Sequence, residues 1–130
     1  MSNQRKPALW DAYRTEFLRS AVWFARRDRW FAHETVIAWP LTCAGCGQEA
    51  TKRQLELHHL DYAGVRLDDG TWTAHEPHED ILAMHPYCHE LLHRLIDRDA
   101  VLSRHVSRRT ASVRALARLR AKLTLFQESG

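Results

Sequence analysis

The stretch that decides the fold reads CAGC at residues 43–46, LELHHLDY at residues 55–62 and EDILAMHPYCHELLHRL at residues 79–95. It contains all three cysteines of the chain and five histidines. Cys43 and Cys46 form a C-x₂-C pair, and His85 and Cys88 form a second pair with the same spacing. Four nitrogen and sulfur donors in two such pairs are the usual ligand set of tetrahedral zinc. The spacing therefore predicts a structural zinc knuckle at these four residues.

A second group of histidines has the spacing of another metal site. Pro86 suits the first turn of a helix, and on that helix His89 and His93 are four residues apart, so both imidazoles project from one face. His58 and His59 follow a strand-like run, and successive side chains of a strand point to opposite faces. One imidazole of this pair can therefore bind an ion while the other faces water.

A long helix is predicted before this centre, at about residues 8–32, beginning near Pro7. At 100° per residue, one apolar face is expected to pack inward. The members of that face are Trp10, Tyr13, Phe17, Ala21 and Phe24. A second stripe interleaves basic and aromatic side chains and is a candidate grip for nucleic acid, although tryptophan more often lies in a core. Its members are Arg19, Trp23, Arg26 and Trp30.

A second long helix is predicted after the centre, at about residues 99–127. Its apolar face is expected to pack on the first helix or on a second copy of the chain, as a homodimer, and comprises Leu102, Val106, Val113, Leu116, Ala117 and Leu123. Its basic face is the predicted nucleic-acid-binding surface and comprises Arg104, Arg108, Arg114, Arg118 and Lys122. Between the helices, residues 52–60 and 81–84 are predicted strands, and residues 61–79 are predicted to form a loop.

Charge divides the chain into three parts. Residues 1–33 carry seven Lys or Arg against three Asp or Glu, residues 34–93 carry three against ten, and residues 94–130 carry nine against three. Most of the basic residues are arginines, whose planar guanidinium suits phosphate. A charge run alone is usually a solvated helix face. Beside a group of metal ligands, the two basic arms favour a nucleic acid as partner.

The composition fits a small intracellular protein. With 45% hydrophobic and 27% charged residues, the chain is globular rather than disordered. No apolar run approaches the roughly 18 residues of a membrane span, and the first residues lack the apolar centre of a signal peptide. An odd number of cysteines argues against a disulfide framework and suits metal ligation in a reducing compartment. We therefore expect a cytoplasmic protein that binds no membrane.

The order of these motifs resembles the HNH endonuclease family, whose members have a ββα-metal core. The shared features are the CxxC knuckle, the HHxxY segment after a strand, an acidic residue before a short apolar run, and a closing CHxxxH segment. The resemblance covers roughly residues 17–93. The chain departs from the family pattern at His85, where a cysteine is usual, and at Asp80, which stands in place of the asparagine that names the family.

The resemblance implies a role for each residue of the second group. His58, His89 and His93 would hold a catalytic divalent ion. His59 would be the general base that deprotonates water, and Asp80 would accept an orienting hydrogen bond. Three neutral imidazoles favour Zn²⁺, Ni²⁺, Co²⁺ or Mn²⁺, and the behaviour of the family extends the expectation to Mg²⁺.

These observations predict a single α+β domain over residues 1–130, with a ββα-metal core at about residues 41–97, a structural Zn²⁺ and two flanking helices. The expected function is metal-dependent hydrolysis of DNA, leaving 5′-phosphate and 3′-hydroxyl ends as the family does, with RNA left open as a substrate. One rival is a non-catalytic zinc module that binds nucleic acid, which would not need His59. Another is a protein-binding or inhibitor module that reuses the fold, with its arginines on acidic protein.

Overall fold

The computed structural model describes residues 16–129, with side chains as far as residue 125. Within these residues four helices combine with two small antiparallel sheets, so the predicted α+β class is confirmed. The helices are α1 (Ala21–Ile37), α2 (Pro86–Arg98), α3 (Ala100–Arg104) and α4 (Arg108–Ser129). The strands are β1 (Glu56–His59), β2 (Val65–Asp68), β3 (Thr71–Ala74) and β4 (Ile81–Met84). In the part of the chain described, no helix is both apolar enough and long enough to cross a bilayer.

The centre of the fold is an antiparallel pair of strands followed directly by a helix. β1 pairs with β4 in a register that sets His58 opposite Leu82 and His59 opposite Ile81. β4 occupies the predicted span, whereas β1 is shorter than predicted because a 3-10 turn at Lys52–Gln54 precedes it. α2 begins at Pro86, as predicted, since proline fits a first helical turn.

The segment predicted as a loop, residues 61–79, contains a second β-hairpin. β2 pairs with β3 in a register that sets Leu67 opposite Trp72. Asp69 and Gly70 form the connecting turn with positive φ angles of 51° and 76°. An Asp-Gly pair favours this two-residue turn because glycine adopts positive φ without steric cost. The loop prediction was wrong because it weighed the turn residues and not the short alternating runs on either side of them.

Within the described residues, the helix in the predicted span begins at Ala21 and ends later than predicted. Ser20 is extended, and its side chain caps α1 by accepting a hydrogen bond from the backbone N–H of Trp23. α1 then continues to Ile37, five residues beyond the predicted end. The earlier part of the prediction, with Pro7, Trp10 and Tyr13, lies outside the described residues.

The predicted inward face of this helix was also wrong. The buried side chains of α1 are Trp23, Arg26, Trp30 and Phe31. Three of these belong to the stripe predicted to face nucleic acid, whereas Phe24 is 54% exposed and Ala21 is exposed. Phe17 is buried, but it lies on a separate 3-10 turn. Because the chain is extended between that turn and α1, a helical face cannot be counted across the two.

The predicted C-terminal helix is divided into two. α3 ends at Arg104, and α4 begins at Arg108 after a bend at residues 105–107. α4 packs on α2, and its buried residues are Ala111, Ser112, Ala115, Leu116 and Leu119. Leu102 is buried as predicted, whereas Val113 and Ala117 are exposed. The angular count failed for the last two because the phase of α4 starts anew after the bend.

Two hydrophobic clusters lie on either side of β1. The larger cluster joins α2 and α4 to the turn that carries the first two cysteines. The smaller one surrounds the β2–β3 hairpin and includes Phe17, Trp23 and Trp72. Leu57 of β1 contacts both clusters, so each of the two histidines that follow it in the strand faces a different environment.

Candidate metal centres and active site

A cluster of three cysteines and one histidine forms at the start of α2. Cys43 and Cys46 lie on the turn before β1, His85 is the N-cap residue of α2, and Cys88 lies in its first turn. The ligand atoms of all four lie within 4.8 Å of one another. Zinc bonds of about 2.0–2.3 Å place tetrahedral ligands roughly 3.5 Å apart, so a small adjustment suffices for one ion. This cluster could hold a metal ion, and its donors are compatible with the predicted structural zinc.

The thiols of this cluster are packed so closely that they perturb one another. Cys43 Sγ accepts hydrogen bonds from the backbone N–H groups of Gly45 and His85, at 3.3 and 3.2 Å. Burial raises the pKa of Cys43, but these N–H groups and that of Cys46 outweigh it and lower the pKa to about 7. Burial and the neighbouring thiols raise the pKa of Cys88 to about 12. A bound divalent cation would stabilise the deprotonated thiols, because the thiolate is the form that binds a metal.

Three histidines converge at a second cluster, between β1 and α2. Nδ1 of His58 lies 3.1 Å from Nε2 of His89, which in turn lies 3.1 Å from Nε2 of His93. The ligand atoms of all three lie within 4.8 Å of one another, so this group could also hold a metal ion. His58 is buried, whereas His89 and His93 are half-buried and leave the cluster open on their side. Burial is the main cause that lowers the pKa of His58, which favours the neutral imidazole that binds metals.

The remaining ring nitrogens of two of these histidines have partners of their own. Nε2 of His58 lies 2.9 Å from the hydroxyl of Ser112 on α4, and Nδ1 of His89 lies 3.0 Å from a carboxylate oxygen of Glu56. Such contacts orient a ligand and fix the nitrogen that it offers to the ion. Neither partner was predicted. Glu56 had a usable signal, because it lies two residues before His58 on the same face of β1, but Ser112 had none.

His59 faces away from this cluster, into the smaller hydrophobic core. Its ring centroid lies 4.9 Å from that of Trp23 and 5.2 Å from that of Tyr62. Its Nε2 lies 2.6 Å from a carboxylate oxygen of Glu76, and only 3% of the residue is exposed. Burial lowers the pKa of His59, and the contact with Glu76 offsets part of that effect. The alternation of β1 therefore separates His59 from His58, as predicted, but the expectation that the second imidazole faces water was wrong, because the ring of His59 is buried against Trp23 and Tyr62.

The acidic residue predicted to orient the site has a different partner. The carboxylate of Asp80 accepts a hydrogen bond from Arg109 of α4 at 2.7 Å, and Asp61 accepts another from the same guanidinium at 3.3 Å. The backbone of Asp80 contributes to the strand pair, because its carbonyl accepts from the N–H of Leu60. A carboxylate does contact the imidazole of His59, but it is that of Glu76, which the sequence did not single out.

The five basic residues predicted to bind nucleic acid do not form one uniform surface. Arg104, Arg114 and Lys122 are exposed. Arg118 is exposed as well, but it forms an ion pair with Asp99 at 2.8 Å.

Arg108 lies beside the histidine pair instead of on the outer face. Its Nε donates a hydrogen bond to the carbonyl oxygen of His59 at 2.7 Å, and its guanidinium carbon lies 4.4 Å from the ring centroid of Tyr62. Its positive charge contributes to lowering the pKa of both His58 and His59. A cation thus lies next to the candidate active site, where an anionic substrate would be attracted.

Comparison with known proteins gave no match to a family model, to a curated protein or to a solved structure. Membership of the HNH family therefore stays a prediction from the quoted motifs. The function has to be inferred from the two clusters and from the residues that hold them.

Proposed function

We propose that this protein is a metal-dependent endonuclease of the ββα-metal type, which hydrolyses phosphodiester bonds of DNA. The observation that carries the proposal is that two consecutive histidines of β1 have different surroundings. His58 belongs to a cluster of three imidazoles that could hold an ion, and the next residue, His59, faces a carboxylate. Phosphodiester hydrolysis needs both a cation and a general base, and the residues proposed to supply them are consecutive in β1.

The local architecture supports the same proposal. Two antiparallel strands, β1 and β4, are followed by α2, and the three imidazoles lie between the first strand and that helix. This is the order of elements expected for a ββα-metal site. The cysteine cluster is proposed to hold a structural Zn²⁺ that ties the preceding turn to the start of α2.

The chemistry divides among the residues as follows. His59 is the proposed general base, which takes a proton from the attacking water. A divalent ion held by His58, His89 and His93 would supply Lewis-acid stabilisation of charge on the phosphate and on the leaving oxygen. Zn²⁺, Ni²⁺, Co²⁺ and Mn²⁺ suit these nitrogen ligands, and Mg²⁺ is retained as a weaker match. Arg108 is positioned to attract the phosphate, because its guanidinium lies against the same strand.

Cleavage of supercoiled plasmid with Mn²⁺ or Ni²⁺, with and without chelator, tests the proposal. Relative to wild type, His59→Ala should lower the single-turnover rate at least about 100-fold and leave DNA affinity within about threefold. His75→Ala is the matched control, because His75 is exposed and belongs to neither cluster. Residual activity of His59→Ala within tenfold of wild type would remove His59 from the role of base.

A second candidate function is a non-catalytic zinc module that binds nucleic acid. The observation that favours it is the burial of His59, whose ring packs between Trp23 and Tyr62 like a core residue. Under this alternative, wild-type protein binds DNA but cleaves nothing with any of the metals. His59→Ala would then lower the melting temperature and leave DNA binding by the folded protein unchanged.

A further inference from the structure

A buried carboxylate lies against the proposed general base and has no role in the mechanism so far. Glu76 follows β3, and none of its side chain is exposed. Its Oε2 lies 2.6 Å from Nε2 of His59. Its Oε1 forms an ion pair with Nε of Arg26 at 3.5 Å and makes no hydrogen bond within the described structure.

Packing alone does not explain this carboxylate. Moving a charge into a protein interior is costly, and an apolar side chain of similar size is often as stable or more stable in such a position. An oxygen of Glu76 that lacks a hydrogen bond adds to this cost. A charged group that is buried despite this cost is a candidate for a functional role. The other oxygen of Glu76 lies 2.6 Å from Nε2 of His59.

The charge of Glu76 is maintained by its surroundings. Burial raises the pKa of Glu76, but the hydrogen bond with His59, that with its own backbone N–H and, to a smaller extent, the positive charge of Arg26 lower the pKa below the ordinary value. Arg26 also donates a hydrogen bond from Nη2 to the backbone carbonyl of Glu76 at 2.7 Å. α1 therefore holds the backbone of Glu76 and adds a positive charge beside its carboxylate.

An ionised carboxylate can only accept hydrogen bonds, so the proton in this contact belongs to the imidazole. We propose that Glu76 is a positioning residue for His59: its carboxylate accepts a hydrogen bond from the Nε2–H of the imidazole, which leaves Nδ1 as the nitrogen that carries the lone pair. The ring of Trp23 packs against the imidazole of His59, with 4.9 Å between the two ring centroids, and limits the rotation of that imidazole. The base is thus held in one tautomer and one orientation before substrate arrives.

This inference rests on the proposed function, because a positioned base matters only if His59 acts as one. Its structural part can nevertheless be tested without catalysis. Long-range ¹H–¹⁵N NMR of the ¹⁵N-histidine-labelled, Zn²⁺-loaded full chain distinguishes a ring protonated at Nε2 from one protonated at Nδ1. Signals of His59 are assigned by their loss in His59→Gln. We expect the proton on Nε2 in wild type, and a proton on Nδ1 would overturn the inference even if no Glu76 variant folds.

The catalytic part is tested with Glu76→Gln, which keeps the shape of the side chain. The amide offers both a donor and an acceptor, so it no longer dictates the tautomer of His59. We expect the single-turnover rate on plasmid with Ni²⁺ to fall about 10- to 100-fold, while DNA affinity and Ni²⁺ affinity stay within about threefold of wild type. Glu79→Gln is the matched control, because Glu79 is exposed on the adjoining 3-10 turn.

The outcomes separate this inference from the proposed function. Equal rates for Glu76→Gln and Glu79→Gln, in a wild-type protein that cleaves, would overturn the positioning role and leave the nuclease proposal standing. A fall in DNA or Ni²⁺ affinity as large as the fall in rate would also overturn it, since that pattern indicates a structural role. A wild-type protein that cleaves no plasmid overturns the nuclease proposal and the catalytic role of Glu76 together, and the NMR measurement still decides the tautomer.

Discussion

The two ligand clusters differ in the number of donors, whereas two ligands of each, Cys46 and His85 in one and His89 and His93 in the other, are half-buried. The cysteine cluster has four donors, and two of them, Cys43 and Cys88, are buried. The histidine cluster has three, of which His89 and His93 are half-buried. Structural zinc sites fill four positions with protein ligands, whereas catalytic sites keep a position open for water or substrate. Four donors can fill a tetrahedral site and three leave one position open, so under the proposed function the cysteine cluster stabilises the fold and the histidine cluster meets substrate.

The largest expected effect comes from removing a ligand of the cysteine cluster. Cys43→Ser or Cys88→Ser should lose bound zinc, because a serine hydroxyl is a poor ligand for it. In a small domain, binding of a structural ion contributes directly to the free energy of folding, so the melting temperature should fall by more than about 15 °C. Zinc content by mass spectrometry and a thermal melt in reducing buffer measure both effects. Full retention of zinc and stability would contradict the assignment.

A ligand swap within the same cluster serves as the control for these serine variants. His85→Cys keeps a donor at the position and creates the four-cysteine set that is common for structural zinc. We expect this variant to retain zinc and to melt close to wild type. If it lost zinc as readily as Cys88→Ser, His85 would have to have a role other than ligation.

Removing a ligand from the histidine cluster should have a smaller effect on stability and should mainly lower metal affinity. His89→Ala or His93→Ala removes one of three ligands, so affinity for an added Ni²⁺ or Co²⁺ should fall at least about 100-fold, as measured by calorimetry. The zinc of the cysteine cluster should stay bound, and the fall in melting temperature should be less than half of that in Cys88→Ser. A variant that unfolds as readily as Cys88→Ser would show that the histidine cluster, too, is structural.

The donors of both clusters could be predicted from the sequence because their spacing is local. Two cysteines separated by two residues share one turn, and His89 and His93 share one helical face, wherever the rest of the chain lies. The strand alternation that separates His58 from His59 is equally local. For the same reason the start of α2 at Pro86 was predicted correctly.

The partners of those donors could not be predicted, since tertiary packing brings them together. Ser112 lies 54 residues after His58 in the chain, and Glu76 lies 17 residues after His59 across an intervening hairpin. The wrong helix faces have a different origin. For the first helix, Ser20 is a common type of N-cap residue, so the break before Ala21 is encoded locally, and a periodicity counted across that break gives the wrong face.

The acidic part of the chain, residues 34–93, is expected to depend on basic residues elsewhere for DNA binding. Substitution of the exposed basic residues on the C-terminal helices tests this expectation. Changing Arg104, Arg114 and Lys122 together to Gln should weaken binding at every sequence by about 100-fold at low salt, and should reduce the logarithmic salt slope by up to about 2.7. Turnover of DNA bound at saturation should change little, because none of the three belongs to either cluster. An unaltered salt slope would indicate that this surface binds protein, including a second copy of the chain.

The smallest expected effect concerns Ser112 of α4, which contacts the histidine cluster without being a ligand. Its hydroxyl lies 2.9 Å from Nε2 of His58 and is completely buried, so it can hold the ring with Nδ1 directed toward the other imidazoles. Ser112→Ala leaves that Nε2 without the hydroxyl and removes the constraint on the ring. Loss of such an outer contact typically weakens metal binding 10- to 100-fold, and about tenfold is expected for a neutral hydroxyl.

Calorimetry with Ni²⁺ measures this effect, and Ser103→Ala on α3 is the control, since its hydroxyl contacts only a nearby backbone carbonyl in the structure. Zinc in the cysteine cluster should be retained in both variants. If Ser112→Ala bound Ni²⁺ as tightly as Ser103→Ala, α4 would contribute to the histidine cluster through packing alone. If it also lost zinc, the two clusters would not be independent, because α4 packs on α2, the helix that carries ligands of both.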